Sequence, residues 1–189
     1  MARLRKALSK RYARRATPGA PKRPSARGNA AGSFFPTSGT PTEAEIQRVL
    51  YESCLARKHP LVVPNTRVFG WESDLLSVTP AGIVHDFEIK RTRADFVLDF
   101  EKPRHKDLSR YERWRVTDRR PNYFWYVFAG PLAPAGDVPP HAGLIVMDCR
   151  TGALTEVVRA PRLHVHPLDG RTREYLERGL RDRYWATRL

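Results

Sequence analysis

The segment from Trp71 to Lys90 consists of two apolar runs separated by a short turn, and this pattern predicts a β-hairpin. Pro80-Ala81-Gly82 forms a three-residue loop in this prediction, because glycine readily adopts the left-handed conformation that the last position of such a loop requires. The loop fixes the register of the strands and sets Asp74 directly opposite Glu88. Opposed side chains on a sheet have Cβ atoms about 5 Å apart, so the sequence predicts two neighbouring carboxylates.

Neighbouring carboxylates repel each other in a dry site unless one is protonated or a cation lies between them, and Mg²⁺ or Mn²⁺ suits such oxygen ligands. Lys90 follows Glu88 by two residues and shares its face of the strand, whereas Phe87 and Ile89 point into the core. A metal-bound water becomes a nucleophile near neutral pH, and Lys90 could orient it or balance charge on a phosphate. The alternative interpretation is a solvated hairpin carrying a Glu–Lys pair.

Periodicity in the remaining sequence predicts an α/β domain with a central mixed sheet flanked by helices. Thr40 as N-cap, Pro41 at the first helical position and Glu43 as partner predict a capping box at the start of the first helix. In chain order we expect a helix from 40 to about 59, strands at 61–63, 66–78 and 82–90, a helix from 92 that restarts at Pro103 and runs towards Trp114, strands at 122–129, 143–148, 154–159 and 163–165, and a helix over 172–186. The last helix has Tyr175, Leu176, Leu180 and Tyr184 on one face.

The first 39 residues predict a disordered basic tail ahead of a folded domain over residues 40–189, since they are basic and rich in Pro, Gly, Ser and Ala. Residues 1–42 contain ten Lys or Arg and no acidic residue, and they supply most of the net charge of +14. A cationic tail favours a polyanion, which makes DNA the expected partner. A solubilising arm and a transit peptide are the alternatives.

The sequence contains neither a membrane-spanning segment nor a cysteine-based metal site. No apolar run approaches the roughly 18 residues of a membrane span. Cys54 and Cys149 lack metal-ligand spacing and are expected to be buried thiols in a reducing compartment, which favours the cytoplasm of a bacterial or phage-infected cell. His164 and His166 alternate along a predicted strand without acidic or Cys neighbours at zinc spacing, so a structural role is favoured. A homodimer is compatible with the sequence.

The hairpin motifs resemble those of the PD-(D/E)XK nuclease superfamily, and in particular small phage and bacterial members related to RecB-type nucleases and Holliday-junction resolvases. The resemblance covers about residues 42–158 and rests on Glu72-Ser73-Asp74, Glu88-Ile89-Lys90, the following block to Lys102, and the segment 138–146. It implies a restriction-endonuclease-like αβββαβ core, metal binding by two carboxylates and phosphodiester hydrolysis. Ser73 stands where many members have proline.

By this resemblance, Asp74 and Glu88 are the metal-binding acids, Lys90 is the catalytic lysine and the Ile89 carbonyl is a further metal ligand. Many members add a glutamate from the first helix. We expect Glu45 to fill that position, because Glu43 is already assigned to the capping box, with Glu52 as the second choice. A solvent-facing position for Glu45 is the alternative.

Basic residues after the Glu-x-Lys motif are candidates for contacts to the nucleic-acid backbone. Lys106 is the first choice, followed by Lys102, and the neighbouring Arg91 and Arg93 are further candidates. Asp95 and Asp99 share a helix face, where Asp95 is expected near a Thr92 N-cap and Asp99 is expected to pair with Arg93 or Lys102. Tyr111 and Trp114 are candidates for stacking on unpaired bases.

The sequence therefore predicts a Mg²⁺- or Mn²⁺-dependent deoxyribonuclease that acts in DNA repair, recombination or phage DNA processing. Two alternatives stay open. One is a non-catalytic nucleic-acid-binding protein with a nuclease-like fold, and the other is a structural or virion-associated protein whose basic arm packages DNA. DNA versus RNA, endonuclease versus exonuclease action and the preference for branched substrates are not determined by the sequence.

Overall fold

A computed structural model describes residues 40–109, 120–130 and 135–188. The elements in chain order are α1 (Glu43–Ala56), β1 (Leu61–Arg67), β2 (Glu72–Val78), β3 (Val84–Lys90), α2 (Arg93–Asp99), α3 (Pro103–Ser109), β4 (Tyr123–Ala129), a 3₁₀ turn (Ala135–Asp137), β5 (Ala142–Met147), β6 (Leu154–Val158) and α4 (Gly170–Ala186). The predicted basic tail, Tyr111 and Trp114 lie outside the described residues.

The six strands form one mixed sheet in the order β1-β2-β3-β4-β5-β6. The first three strands are antiparallel neighbours, β3, β4 and β5 run parallel, and β6 is antiparallel to β5. The parallel crossover from β3 to β4 passes through α2 and α3. The prediction of an α/β domain with a mixed sheet is confirmed.

The β2–β3 hairpin has the predicted loop and register. Leu75 lies opposite Phe87 and Val78 opposite Val84. The Thr79 amide donates to the Ile83 carbonyl at 2.9 Å, which closes the three-residue loop. Gly82 has φ +76°, the left-handed conformation expected there. The sequence therefore specified which side chains of the two strands face each other.

The helices cover both faces of the sheet. On one face, α1 packs Ile46 and Leu50 against the β3 residues Phe87 and Ile89. On the other face, Phe96 of α2 and Leu108 of α3 pack on the aromatic side chains of β4, and Leu176 of α4 packs on β1, β2 and the start of β3. Because strand side chains alternate, Glu88 and Lys90 lie on the face that carries α2 and α3.

Two of the predicted strands are wrong. Residues 66–78 are not one strand, because the chain turns between Arg67 and Glu72, where Gly70 has φ +89°. Residues 163–165 are not a strand. The carbonyls of His164 and His166 instead accept hydrogen bonds from the buried side chain of Asn122, at 3.0 and 2.9 Å.

The last helix is amphipathic, but its buried stripe is narrower than predicted. Leu176 is buried and Leu180 is half-buried, whereas Tyr175 and Tyr184 are 56% and 54% exposed. Trp185 is 57% exposed as well. The aromatic residues of α4 thus contribute surface and not core.

Candidate active site

The three predicted catalytic residues lie in one open cleft of about 620 Å³. Asp74 from β2 and Glu88 and Lys90 from β3 border it together with Asp99 and Lys102 from the crossover segment. The paired register of the hairpin ends at Leu75 and Phe87, so Asp74 and Glu88 are the next residues of the two strands, and the alternation of β3 turns Glu88 and Lys90 to the same side. The predicted clustering of two carboxylates and an ammonium group is thus what the fold produces.

Asp74 is a half-buried acid with only one of its carboxylate oxygens engaged. Its Oδ2 accepts a hydrogen bond of 2.6 Å from the backbone amide of Ile89, and its Oδ1 has no hydrogen-bond partner in the described part of the chain. Burial, and then the nearby Glu88 carboxylate, raise the pKa of Asp74 to about 7. A cation beside Asp74 would relieve both effects.

Glu88 is buried and already paired with cationic side chains of the protein. The Lys90 Nζ donates to its Oε1 at 2.6 Å, and the Arg104 Nη1 donates to its Oε2 at 2.7 Å. Burial by itself would lower the pKa of Lys90, but the Glu88 and Asp99 carboxylates outweigh it and raise that pKa above its ordinary value. Lys90 is therefore an ammonium group at neutral pH.

Asp99 is the central acceptor of the site, a role that sequence reasoning missed. It is completely buried, and it accepts hydrogen bonds from Lys90 at 2.8 Å and Tyr126 at 2.9 Å. Arg104 donates to both of its oxygens at 2.6 and 2.7 Å, and His105 Nε2 lies 2.8 Å from its Oδ2. Burial alone would raise the pKa of Asp99, but the hydrogen bonds from His105 and Arg104 hold it well below its usual range.

The sequence contains one signal that could have revealed part of this network. Glu88 pairs with Tyr126 in the parallel register of β3 and β4. Tyr126 is the polar member of an otherwise phenylalanine-rich face of β4, so its hydroxyl needs a buried partner. That partner is Asp99. The sequence offered Lys102 and Arg93 as ion-pair partners of Asp99, and the structure pairs Asp99 with Lys102 at 2.7 Å. Arg93 pairs with Asp137 at 3.2 Å.

Carboxylates outnumber cations in the lining of the cleft. Its acidic residues are Glu43, Asp74, Glu88, Asp95 and Asp99, and its basic residues are Lys90, Arg91 and Lys102. Arg104 adds one buried cation that pairs with Glu88 and Asp99. Both oxygens of Glu88 have a cationic partner, whereas Asp74 has only a backbone amide. The place where an additional cation would be accommodated is therefore next to Asp74.

The capping box of α1 begins two residues later than predicted, and this changes which glutamate of α1 can reach the cleft. Thr42 is the N-cap of α1: its amide donates to Glu45 Oε2 at 2.7 Å, and the Glu45 amide donates to Thr42 Oγ1 at 3.3 Å. Glu45 is therefore held in the capping box, and the backbone hydrogen bond from Thr42 lowers its pKa. Glu43, which was assigned to the cap, borders the cleft instead.

Glu43 is linked to the site through Gln47. The Gln47 Nε2 donates to the Asp74 carbonyl at 2.8 Å and lies 3.4 Å from Glu43 Oε1. Glu52, the second choice for the helix acid, forms an exposed pair with Arg48 at 3.1 Å. Of the three acids that were considered on α1, only Glu43 borders the cleft.

The predicted phosphate-contacting residues divide into two groups. Lys102 and Arg91 border the cleft, and the Arg91 Nε donates to the Pro41 carbonyl at 3.0 Å. Lys106 is exposed in the last turn of α3 and does not border the cleft, whereas Lys102 does. Thr92 is the N-cap of α2, with the Asp95 amide donating to it at 3.1 Å, as expected.

The donor set suits a divalent metal that completes its shell with water or substrate oxygens. Residues 40–109, 120–130 and 135–188 contain no group of three or more His, Cys, Asp or Glu side chains arranged to hold a metal ion. Oxygen donors do line the cleft, where Asp74 has one oxygen without a partner among the described residues and Glu43 and Ile89 are further lining residues. Mg²⁺ commonly binds through one or two carboxylates and keeps several waters, so these residues fit such an ion.

No helix among the described residues is long and apolar enough to cross a bilayer.

Comparisons with known proteins give a fold relationship and no family. No family model matches this chain. No curated protein sequence matches it either. Among solved structures, it is similar to the SPO1766 protein of unknown function from Silicibacter pomeroyi, with a TM-score of 0.54 and 20% sequence identity. The similarity covers 76% of this chain and 88% of the other. At this identity the match shows a shared fold alone.

Proposed function

We propose that this protein is a Mg²⁺- or Mn²⁺-dependent deoxyribonuclease with a restriction-endonuclease-like core. The observation that carries the proposal is the meeting of Asp74, Glu88 and Lys90 in one open cleft, from two strands in the predicted register. The element order also supports it, since a helix, three antiparallel strands, a helical crossover and a parallel strand correspond to αβββαβ. The basic character of the chain suits a polyanionic substrate.

In this proposal Asp74, the Ile89 carbonyl and Glu88 hold the metal, and Glu43 takes the place that the sequence assigned to Glu45. When bound, the metal supplies a water of lowered pKa and positive charge beside the phosphate. Lys90 keeps its proton, because its carboxylate partners raise its pKa, and it stabilises negative charge that develops on the attacked phosphate. Asp99 and Arg104 hold Lys90 and Glu88 in place, and Lys102 binds a flanking phosphate.

The test is cleavage of supercoiled plasmid and of labelled single-stranded and branched DNA in Mg²⁺, Mn²⁺ or EDTA. We expect cleavage with either metal and none in EDTA, and a loss of at least about 100-fold in Asp74→Asn and Lys90→Met. Glu52→Gln, an exposed acid on α1 away from the cleft, is the matched control and should cleave at the wild-type rate. Undiminished cleavage by Lys90→Met, or equal cleavage in EDTA, would refute the proposal.

A non-catalytic nucleic-acid-binding protein is the second candidate, and one observation favours it. Glu88 is saturated by Lys90 and Arg104, so the protein itself supplies cations where a second metal contact would be. In that case the cleavage assay stays negative in every metal, while DNA binding persists in EDTA and falls when Lys102 is replaced by Ala.

A further inference from the structure

The outer face of α4 combines exposed cations with an exposed indole. Arg178, Arg181, Trp185 and Arg188 follow one another at spacings of three, four and three residues, so the first three share one side of α4, and Arg188 follows in the turn just after the helix ends. All four side chains are exposed, and Trp185 is 57% exposed. We refer to these four residues as the α4 row.

The cations of the α4 row are available for a ligand. Within the described part of the chain, Arg178 and Arg181 form no ion pair, and Arg188 lies over the Tyr184 ring with its guanidinium carbon 5.2 Å from the ring centre. Arg173, on another side of the helix, is paired with Glu177 at 3.5 Å. Guanidinium groups without carboxylate partners favour binding of phosphate oxygens.

The side of α4 opposite the row contacts β1. Arg183 of α4 donates to the carbonyls of Pro64 and Asn65 at 2.7 and 3.3 Å. The Asn65 side chain in turn accepts from Gln47 at 2.7 Å, and Gln47 donates to the Asp74 carbonyl at 2.8 Å. A short chain of contacts therefore joins the C-terminal part of α4 to the strand position of Asp74.

We propose that the α4 row binds single-stranded nucleic acid, with Trp185 stacked on an unpaired base and Arg178 and Arg181 on its phosphates. An exposed indole can stack only on a base whose face is uncovered, which excludes the interior of a duplex. A lipid surface suits this face less, because its outer positions are mainly charged and a single indole interrupts them. The inference goes beyond the proposed function and relies on it for the nature of the polyanion.

The experiment measures fluorescence anisotropy of labelled dT15 and of a 15-base-pair duplex with the full chain in EDTA, so that no cleavage is needed. Trp185→Leu should weaken dT15 binding about ten-fold and leave duplex binding within two-fold. Tyr175→Leu, an equally exposed aromatic of the same helix outside the row, is the control and should bind dT15 like the wild type. The double variant Arg178→Gln/Arg181→Gln loses two phosphate contacts. It should therefore reduce the steepness of the plot of log association constant against log salt concentration for dT15 by about 1.4.

Wild-type dT15 affinity in Trp185→Leu, or an equal loss in Tyr175→Leu, would overturn the inference. So would vesicles of phosphatidylglycerol that bind the wild type more tightly than dT15 and lose binding in Trp185→Leu, because the row would then serve a membrane. The binding assay is independent of the cleavage assay. If the wild type cleaves no DNA but Trp185→Leu still weakens binding of dT15 and not of the duplex, the proposed nuclease activity is refuted and the inference on the α4 row stands. If the wild type cleaves DNA but Trp185→Leu binds dT15 normally, only the inference on the α4 row is refuted.

Discussion

Replacing Asp99 by Asn tests whether the buried network supports the fold as well as the cleft. Asp99 accepts hydrogen bonds from Lys90, Arg104 and Tyr126, and its side chain is completely buried. Asparagine keeps one acceptor oxygen and turns an NH₂ group towards donors, so it leaves the Lys90 and Arg104 cations without a full charge partner. Breaking one side of a buried ionic network costs about 3–5 kcal/mol.

For a chain of 189 residues, each kcal/mol shifts the melting temperature by about 2–4 °C, so Asp99→Asn should melt about 6–20 °C below the wild type. Urea unfolding followed by circular dichroism measures the free energy directly. Asp137→Asn breaks the Arg93–Asp137 pair, which is 62% and 43% exposed, and should cost under about 1 kcal/mol.

Tyr126→Phe is the milder variant of the same test, because it removes the 2.9 Å hydrogen bond to Asp99 and the 3.1 Å contact with His105 Nε2 and leaves the ring in the core. Its expected cost is about 1–2 kcal/mol. If Asp99→Asn is destabilised no more than Asp137→Asn, the network is not what holds β3, α2 and β4 together, and the argument for Asp99 as a positioning residue fails.

Two further predictions concern Asp74 and Gly82. The folded-state pKa of Asp74, about 7, lies above its ordinary value of 3.8, so the folded chain holds this proton more tightly than the unfolded chain does. The resulting stability, at most about 4 kcal/mol, is present below pH 4 and is lost as the pH rises to 7. In urea titrations, Asp74→Asn should therefore be more stable than the wild type at pH 8 and similar to it at pH 4, and equal dependence of stability on pH in the two proteins would contradict this. Gly82→Ala should lower the free energy of unfolding by about 1–3 kcal/mol in thermal unfolding, because Gly82 has φ +76° and an added Cβ would lie 2.8 Å from Pro167 Cβ. The control Gly179→Ala, which adds a Cβ in open space on α4, should instead raise it by up to about 1 kcal/mol. Stabilisation by both substitutions would contradict the strain at Gly82.

The hairpin was predictable because its information is local. A three-residue loop with glycine at its last position fixes the register, and strand alternation then decides the face of every side chain. The pairing of Leu75 with Phe87 follows from the loop alone. By contrast, the Asp99 network joins β3, α2, α3 and β4, and no sequence spacing states how a crossover helix lies on a sheet.

The capping error has a simple cause. Thr40 and Thr42 are each followed three residues later by a glutamate, so the sequence offers two capping boxes in different registers. The fold selects Thr42 and Glu45, and this leaves Glu43 beside the cleft. The error in the box and the choice of Glu45 as helix acid are therefore one mistake, since whichever glutamate caps the helix is removed from the site.

The contact between Arg183 and β1 has a consequence for self-association. β1 is an edge strand of the sheet, and an exposed edge strand is a template for pairing with a strand of another molecule. Pro64 has no amide hydrogen to offer there, and Arg183 occupies the carbonyl oxygens of Pro64 and Asn65. Sheet extension across two copies of this chain is thereby obstructed at the middle of β1, so a homodimer would have to form through a different surface.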